Sequence, residues 1–144
     1  GPGISSWNMA SGTLGWINES TIYFQSENSG YSHLYTLNTE TKKLKPLTSG
    51  DWEVHDVKLS KDKSLFYITA NKTHPGNRGF YHLSISSGEM TPILTEDGNY
   101  EVNISPDEKL LAVRYSTKNK PWELYFAENK KGTSLEQLTV STTK

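Results

Sequence analysis

Short apolar runs, each closed by a cluster of turn-forming residues, recur along the whole chain. Leu14-Gly15-Trp16-Ile17 and Ile22-Tyr23-Phe24-Gln25 flank the turn Asn18 to Thr21. A loop through Gly30 leads to Ser32-His33-Leu34-Tyr35-Thr36-Leu37, and the turn Asn38 to Thr41 opens Lys43-Leu44-Lys45-Pro46-Leu47. Apolar runs of this length between Gly, Asn, Ser and Asp clusters predict strands. The same reading gives strands at Val54 to Leu59, Leu65 to Ala70, Gly79 to Ile85 and Glu89 to Leu94. It gives four more at Tyr100 to Ser105, Leu110 to Ser116, Trp122 to Ala127 and Leu135 to Leu138. No helical stripe exceeds one turn, so the expected class is all-β.

These runs repeat with one period. Ser60-Lys61-Asp62 precedes Leu65-Phe66-Tyr67-Ile68 as Ser105-Pro106-Asp107 precedes Leu110-Leu111-Ala112-Val113, an offset of 45. Tyr35, Tyr81 and Tyr125 are 46 and 44 apart, and Leu47-Thr48, Leu94-Thr95 and Leu138-Thr139 are 47 and 44 apart. Four strands per unit at a period near 45 describe blades of a β-propeller. The expectation is a partial propeller of about three four-stranded antiparallel blades, over about 12–50, 51–97 and 98–140. A two-sheet sandwich is the other arrangement open to such strands; an up-and-down barrel would not repeat in fours.

The polar pattern grades each repeat. The second strands, Leu65-Phe66-Tyr67-Ile68 and Leu110-Leu111-Ala112-Val113, are continuously apolar, as where both faces of a sheet are covered. The fourth strands carry Lys43, Lys45, Pro46 and Pro92, which suits an exposed edge. Closed propellers have about four to eight blades. Three therefore imply a fragment, whose two open lateral faces predict self-association, for example as a homodimer.

Composition narrows the partners. Lys plus Arg number 15 against 16 Asp plus Glu, a formal charge of −1 that favours neither nucleic acid nor an anionic membrane. No apolar run approaches the roughly 20 residues of a membrane span. With no cysteine, disulfides and thiol chemistry are excluded, which does not assign a compartment. Gly1-Pro2-Gly3 resembles the remnant of a cleaved tag, and residues 1–11 read as remnant plus an unpatterned leader without a signal peptide.

No catalytic or metal constellation is expected. His33, His55, His74 and His82 lie in different repeats at no ligand spacing, and packing or surface roles suit them better; His74, in a loop, is the one available to a partner. No Gly-x-Ser-x-Gly elbow occurs. Glu53, Asp56, Glu96, Asp97 and Glu101 read as solvated charges rather than a glycosidase pair. The Ser-x-Asp turns read as hairpin locks rather than calcium or phosphate sites. The sequons at Asn18 and Asn71 are patterns short enough to arise by chance. Most aromatics should fill wedges between blades, and no cofactor is implied.

In an antiparallel four-strand meander, the second-to-third loops and the blade junctions share one end. That end gathers Glu27 to Tyr31, Ser49 to Glu53, Asn71 to Arg78, Glu96 to Tyr100 and Thr117 to Pro121. Tyr31, Trp52, His74, Arg78 and Tyr100 there are the candidate interface residues; equally, such loops vary in length without function, and Trp52 can pack on its own blade.

Several segments resemble one family. Gln25-Ser26-Glu27-Asn28-Ser29-Gly30-Tyr31-Ser32-His33-Leu34-Tyr35 resembles the SE-x-x-G-Y-x-H-L-Y segment of propellers in the dipeptidyl peptidase IV branch of the prolyl oligopeptidase family. Leu47-Thr48-Ser49-Gly50-Asp51-Trp52-Glu53-Val54 is similar to its LT-x-G-x-W-E-V junction, and His74-Pro75-Gly76-Asn77-Arg78-Gly79-Phe80-Tyr81 to its P-G-x-R-x-L-Y strand. Ser105-Pro106-Asp107 and Lys120-Pro121-Trp122-Glu123-Leu124-Tyr125 resemble the last blade before the hydrolase domain.

The resemblance implies a secreted or periplasmic serine exopeptidase as parent, with an eight-bladed propeller restricting peptide access to an α/β-hydrolase domain. That domain, expected after about Thr143, would carry the triad and be the partner of this segment. The family's substrate-holding glutamates belong to an earlier propeller stretch, so no catalytic or substrate residue is carried over, and the segment itself is expected to be non-catalytic. A Tol-type or WD-repeat-like binding scaffold is the alternative; a downstream Gly-x-Ser-x-Gly would separate the two.

Overall fold

The computed structural model describes residues 9–73 and 78–138, and His74 with the rest of 74–77 lies outside them. Among the described residues, twelve strands form three four-stranded antiparallel sheets, each a meander in chain order. The first holds β1 (Met9–Trp16), β2 (Thr21–Ser26), β3 (His33–Asn38) and β4 (Leu44–Pro46). The second holds β5 (Val54–Leu59), β6 (Leu65–Ala70), β7 (Gly79–Ser84) and β8 (Met90–Leu94). The third holds β9 (Asn99–Ile104), β10 (Leu110–Thr117), β11 (Lys120–Glu128) and β12 (Glu136–Gln137). This is the all-β partial propeller that the repeat predicts.

The period-2 alternation of strands decides which side chains meet. In the middle sheet Leu59, Phe66 and Leu83 are cross-strand partners, as are Val57, Ile68 and Tyr81. This face packs with Leu34 and Tyr23 of the first sheet as one core. The opposite face, with Tyr67 and Phe80, packs against Tyr100, Leu111 and Val113 of the third as a second core. The middle sheet is thus covered on both sides, and Phe66 to Ala70 are all buried.

The third sheet departs from expectation. Leu110 is 48% exposed and Ala112 also faces out, although their run is as apolar as that of β6. The face that carries Leu110, Ala112, Leu124 and Phe126 has no further sheet against it among the described residues. Apolar continuity therefore marked a strand suited to double coverage rather than a strand that has it.

A second difference lies at Thr117 to Pro121, read as a long loop. Thr117 pairs directly with Lys120, so β10 and β11 meet through two residues. Pro121 is tolerated inside β11 because it lies at the pairing irregularity between Tyr115 and Thr117 and beyond β12, which pairs only with Tyr125 and Phe126. At the other chain end, β1 begins at Met9, within the stretch read as unpatterned leader.

The Ser-x-Asp turns act as locks. The hydroxyls of Ser60 and Ser105 donate to Asp62 and Asp107 at 2.8 and 2.7 Å. The amides of Ser64 and Lys109 donate to the same carboxylates at 3.0 Å. The Ser64 hydroxyl also donates to Asp62, at 2.7 Å, and these bonds, led by the Ser64 and Ser105 hydroxyls, hold both carboxyls below the usual carboxylate range. Each turn carries a left-handed residue at the same position, Lys63 at φ 61° and Glu108 at φ 64°.

Candidate functional site

Polar bonds tie the sheets together beyond their cores. Between the first and second, Gln25 donates to the Val54 carbonyl at 3.2 Å and the Ser32 amide donates to the Glu53 carboxylate at 3.0 Å. Between the second and third, the left-handed turn aims Glu108 back at the middle sheet, where it accepts from the Tyr67 hydroxyl at 2.8 Å and the Lys61 amide at 2.9 Å. His82 Nε2 meets Asn129 Oδ1 at 2.6 Å, and Asn129 donates to the Glu108 carbonyl at 2.8 Å. Burial, then the Glu108 hydrogen bond, pushes the Tyr67 phenol well above its usual range.

His33 and His82 follow the packing reading. His33 is buried, with Nδ1 2.8 Å from the Thr48 hydroxyl and Nε2 2.8 Å from the Gly50 carbonyl. A carbonyl only accepts, so Nε2 carries the proton. Trp52 is half-buried with its ring edge-on to His33 at 4.8 Å and Lys72 lying 5.7 Å from the ring centre. It therefore bridges the junction of the first two sheets. Tyr31 is exposed in the β2–β3 loop.

At the long-loop end, the second and third sheets bound a cleft of about 460 Å³ lined by His55, Asn71, Arg78, Asn99, Tyr100, Glu101 and Trp122. Of the residues singled out by sequence, Arg78 and Tyr100 meet here, whereas Tyr31 and Trp52 do not. Tyr100 is 1% exposed and serves as wall: its hydroxyl donates to the Glu96 carbonyl at 2.9 Å, and its ring lies 4.8 Å from Tyr115. Burial, then the neighbouring Tyr115 phenol, drives its pKa upward.

The charges of the cleft are arranged in pairs. Arg78 stands 3.7 Å from Asp56, a loose contact between exposed side chains, whereas Asp56 accepts the Thr69 hydroxyl at 2.7 Å. Glu101 is held by Arg114 at 2.8 Å. Asn71 Oδ1 accepts from the Glu53 amide at 2.6 Å, which leaves its NH2 group toward other partners. Burial, followed by repulsion from Arg78, lowers the pKa of His55 and favours its neutral ring. No group of three or more possible metal ligands occurs among the described residues, and no nucleophile stands beside a base in the cleft.

Sequence reasoning missed the cleft's middle. The sequence puts Asn71 and Asn99 in segments at this end without singling them out, and reads His55 and Trp122 as packing residues. The usable signal was register: Val54 pairs with Ala70 and Asn99 with Ser116, which brings the residues at those strand ends to one rim.

Three four-stranded meanders stacked face to face through apolar cores, with both lateral ends carrying exposed apolar side chains, define an incomplete β-propeller. The N-terminal region of dipeptidyl peptidase IV is the family whose model matches residues 7–122, and the chain belongs to that family. It is 28% identical over 121 residues to a probable dipeptidyl peptidase 4 of Emericella nidulans, covering 81% of this chain. It is 31% identical over 123 residues to dipeptidyl peptidase 4 of Trichophyton rubrum, covering 82% of this chain. A probable dipeptidyl-aminopeptidase B of Emericella nidulans is 30% identical over 112 residues, 74% of this chain. The chain spans 16% of the length of the first two relatives and 12% of the third.

Proposed function

We propose that this chain is a non-catalytic propeller segment of a secreted or periplasmic dipeptidyl peptidase IV-like serine exopeptidase, gating peptide access to an α/β-hydrolase domain elsewhere in the parent. The match to the family model of the dipeptidyl peptidase IV N-terminal region, and to relatives roughly five times as long as this chain, carries the reading. One feature of the described residues supports it: the gathering of the junction loops at one end. That end would meet the hydrolase domain or line the substrate chamber, with Arg78, His74 and Trp52 as the contacts. The test compares the 144-residue chain with the full-length parent on proline-containing dipeptide chromogenic substrates. Turnover is expected from the parent only, and the R78A/H74A parent should lose about tenfold in kcat/KM at unchanged stability. Hydrolysis by the chain alone, abolished by a serine-directed inhibitor, would overturn the non-catalytic assignment. Unchanged kinetics in R78A/H74A would remove these loops from gating.

The open lateral faces belong to the same reading. Leu110 and Leu124 on the third sheet are 48% and 40% exposed, and on the first sheet Leu14 and Trp16 are 69% and 57% exposed beside the buried Phe24 and Tyr35. Interior sheets bury the equivalent surface, so the isolated chain is expected to associate through these faces. Light scattering should show a mass that rises with concentration above the 16.2 kDa monomer. A monomer across the whole range would refute the association.

A further inference from the structure

We propose that the cleft between the second and third sheets binds the free carboxylate end of a short peptide, with Arg78 and Asn71 taking the carboxylate and Trp122 the adjoining apolar side chain. The inference rests on side chains of this chain alone and holds whatever the parent catalyses.

Four side chains that carry N–H donors line this cleft: Arg78, Asn71, Asn99 and His55. The Asn71 NH2 group, the Asn99 amide and the His55 ring make no side-chain hydrogen bond among the described residues beyond the one that Asn71 Oδ1 accepts. The two nearby carboxylates are already engaged: Glu101 by Arg114 at 2.8 Å and Asp56 by Thr69 at 2.7 Å. Arg78 is the exception among the charges. Its 3.7 Å approach to Asp56 is longer than a hydrogen bond, and its side chain is 44% exposed. An exposed pair at that distance adds little, so the guanidinium can turn to a ligand while Asp56 keeps Thr69. A guanidinium fork matches a carboxylate through two parallel hydrogen bonds.

The remaining features select among anions. Asp56 and Glu101 flank the site, which disfavours a doubly charged phosphate more than a single carboxylate. Trp122, 48% exposed on the cleft rim, offers a flat apolar surface that an inorganic anion would not use. The volume of about 460 Å³ falls within the roughly 300–1,000 Å³ of small-molecule sites.

The test titrates the isotope-labelled 144-residue chain with N-acetyl-alanyl-phenylalanine and with its C-terminal amide, following backbone and indole amide resonances. Saturable shifts centred on Arg78, Asn99 and the Trp122 indole are expected with the acid. The amide should bind about ten- to a hundredfold more weakly, because a charged hydrogen-bond partner is lost. R78Q should weaken the acid by a similar factor and leave the amide unchanged; its exposed position leaves the fold intact, which the spectrum itself reports. W122A should weaken both probes, and free phosphate should cause no saturable shift at these residues. Equal binding of acid and amide, unchanged acid binding by R78Q, shifts centred elsewhere, or no saturation at millimolar probe would each overturn the proposal.

Discussion

Replacing Phe66 with alanine is expected to remove about 3–5 kcal/mol of stability. Phe66 is fully buried at the centre of the middle sheet, between its cross-strand partners Leu59 and Leu83. Its ring meets Tyr23 of the first sheet edge-on at 4.8 Å. The cavity left behind would lie between two sheets whose backbones are fixed by their own ladders, so little collapse can refill it. A domain of this size has about 5–15 kcal/mol in total, which makes the loss a large fraction. Because each sheet touches only its sequence neighbours, the damage should also loosen the first sheet from the second before the rest unfolds. Urea unfolding followed by far-ultraviolet circular dichroism should show a much lower midpoint and a broadened or stepped transition. Leu110→Ala, on the open face of the third sheet, should change stability by less than about 0.5 kcal/mol in a non-associating concentration range. A loss below about 1 kcal/mol for F66A would mean that the sheets slide together to fill the space.

The contrast between Phe66 and Leu110 also marks how far the sequence was legible. Strand identity depends on local alternation and turn chemistry, so eleven of the twelve strands sit within two residues of where the pattern places them, and the exception is β1, extended back to Met9. The Ser60 and Ser105 turns were readable because Ser and Asp lock the backbone within a few residues of themselves. Coverage is a non-local property. The runs at Leu65 and Leu110 look alike, and only the presence or absence of a neighbouring sheet tells the buried Tyr67 from its repeat equivalent, the exposed Ala112. The inter-sheet latch was hidden for the same reason: Glu108 reads as one more turn charge until a left-handed φ aims it at Tyr67. For the cleft, Arg78 could be found as a loop cation, but Asn71, Asn99 and His55 become a set only through strand register across two sheets. Tyr100 illustrates the converse. Its residue type suited an interface, yet its ring is spent on the core between the second and third sheets.

Gly98→Ala tests the junction that builds the cleft, and it should cost about 3 kcal/mol or more. Gly98 immediately precedes β9 with φ +141°, a region essentially reserved for glycine, where an alanine is strained by about 1–3 kcal/mol. Space adds a second penalty. A Cβ there would lie 2.6 Å from the Ser116 carbonyl oxygen and 2.6 Å from Tyr115 Cε1. The carbonyl cannot withdraw easily, since Ser116 is ladder-paired to Asn99. The Tyr115 ring cannot swing freely either, because it packs on Tyr100 at 4.8 Å and Tyr125 at 5.8 Å. Relief must therefore come from moving the start of β9, which carries Asn99 and Tyr100 into the cleft. Gly30→Ala separates the two penalties: its φ of +100° is also left-handed, but nothing lies within 4 Å of its added Cβ. That variant should lose only the conformational part, about 1–2 kcal/mol. Chemical denaturation of both variants should place Gly98→Ala clearly lower, and the Asn99 and Tyr100 amide resonances should move in Gly98→Ala but not in Gly30→Ala. Equal losses in the two would show that the backbone relaxes around the new methyl group, and that the junction does not depend on the close approach of Ser116 and Tyr115.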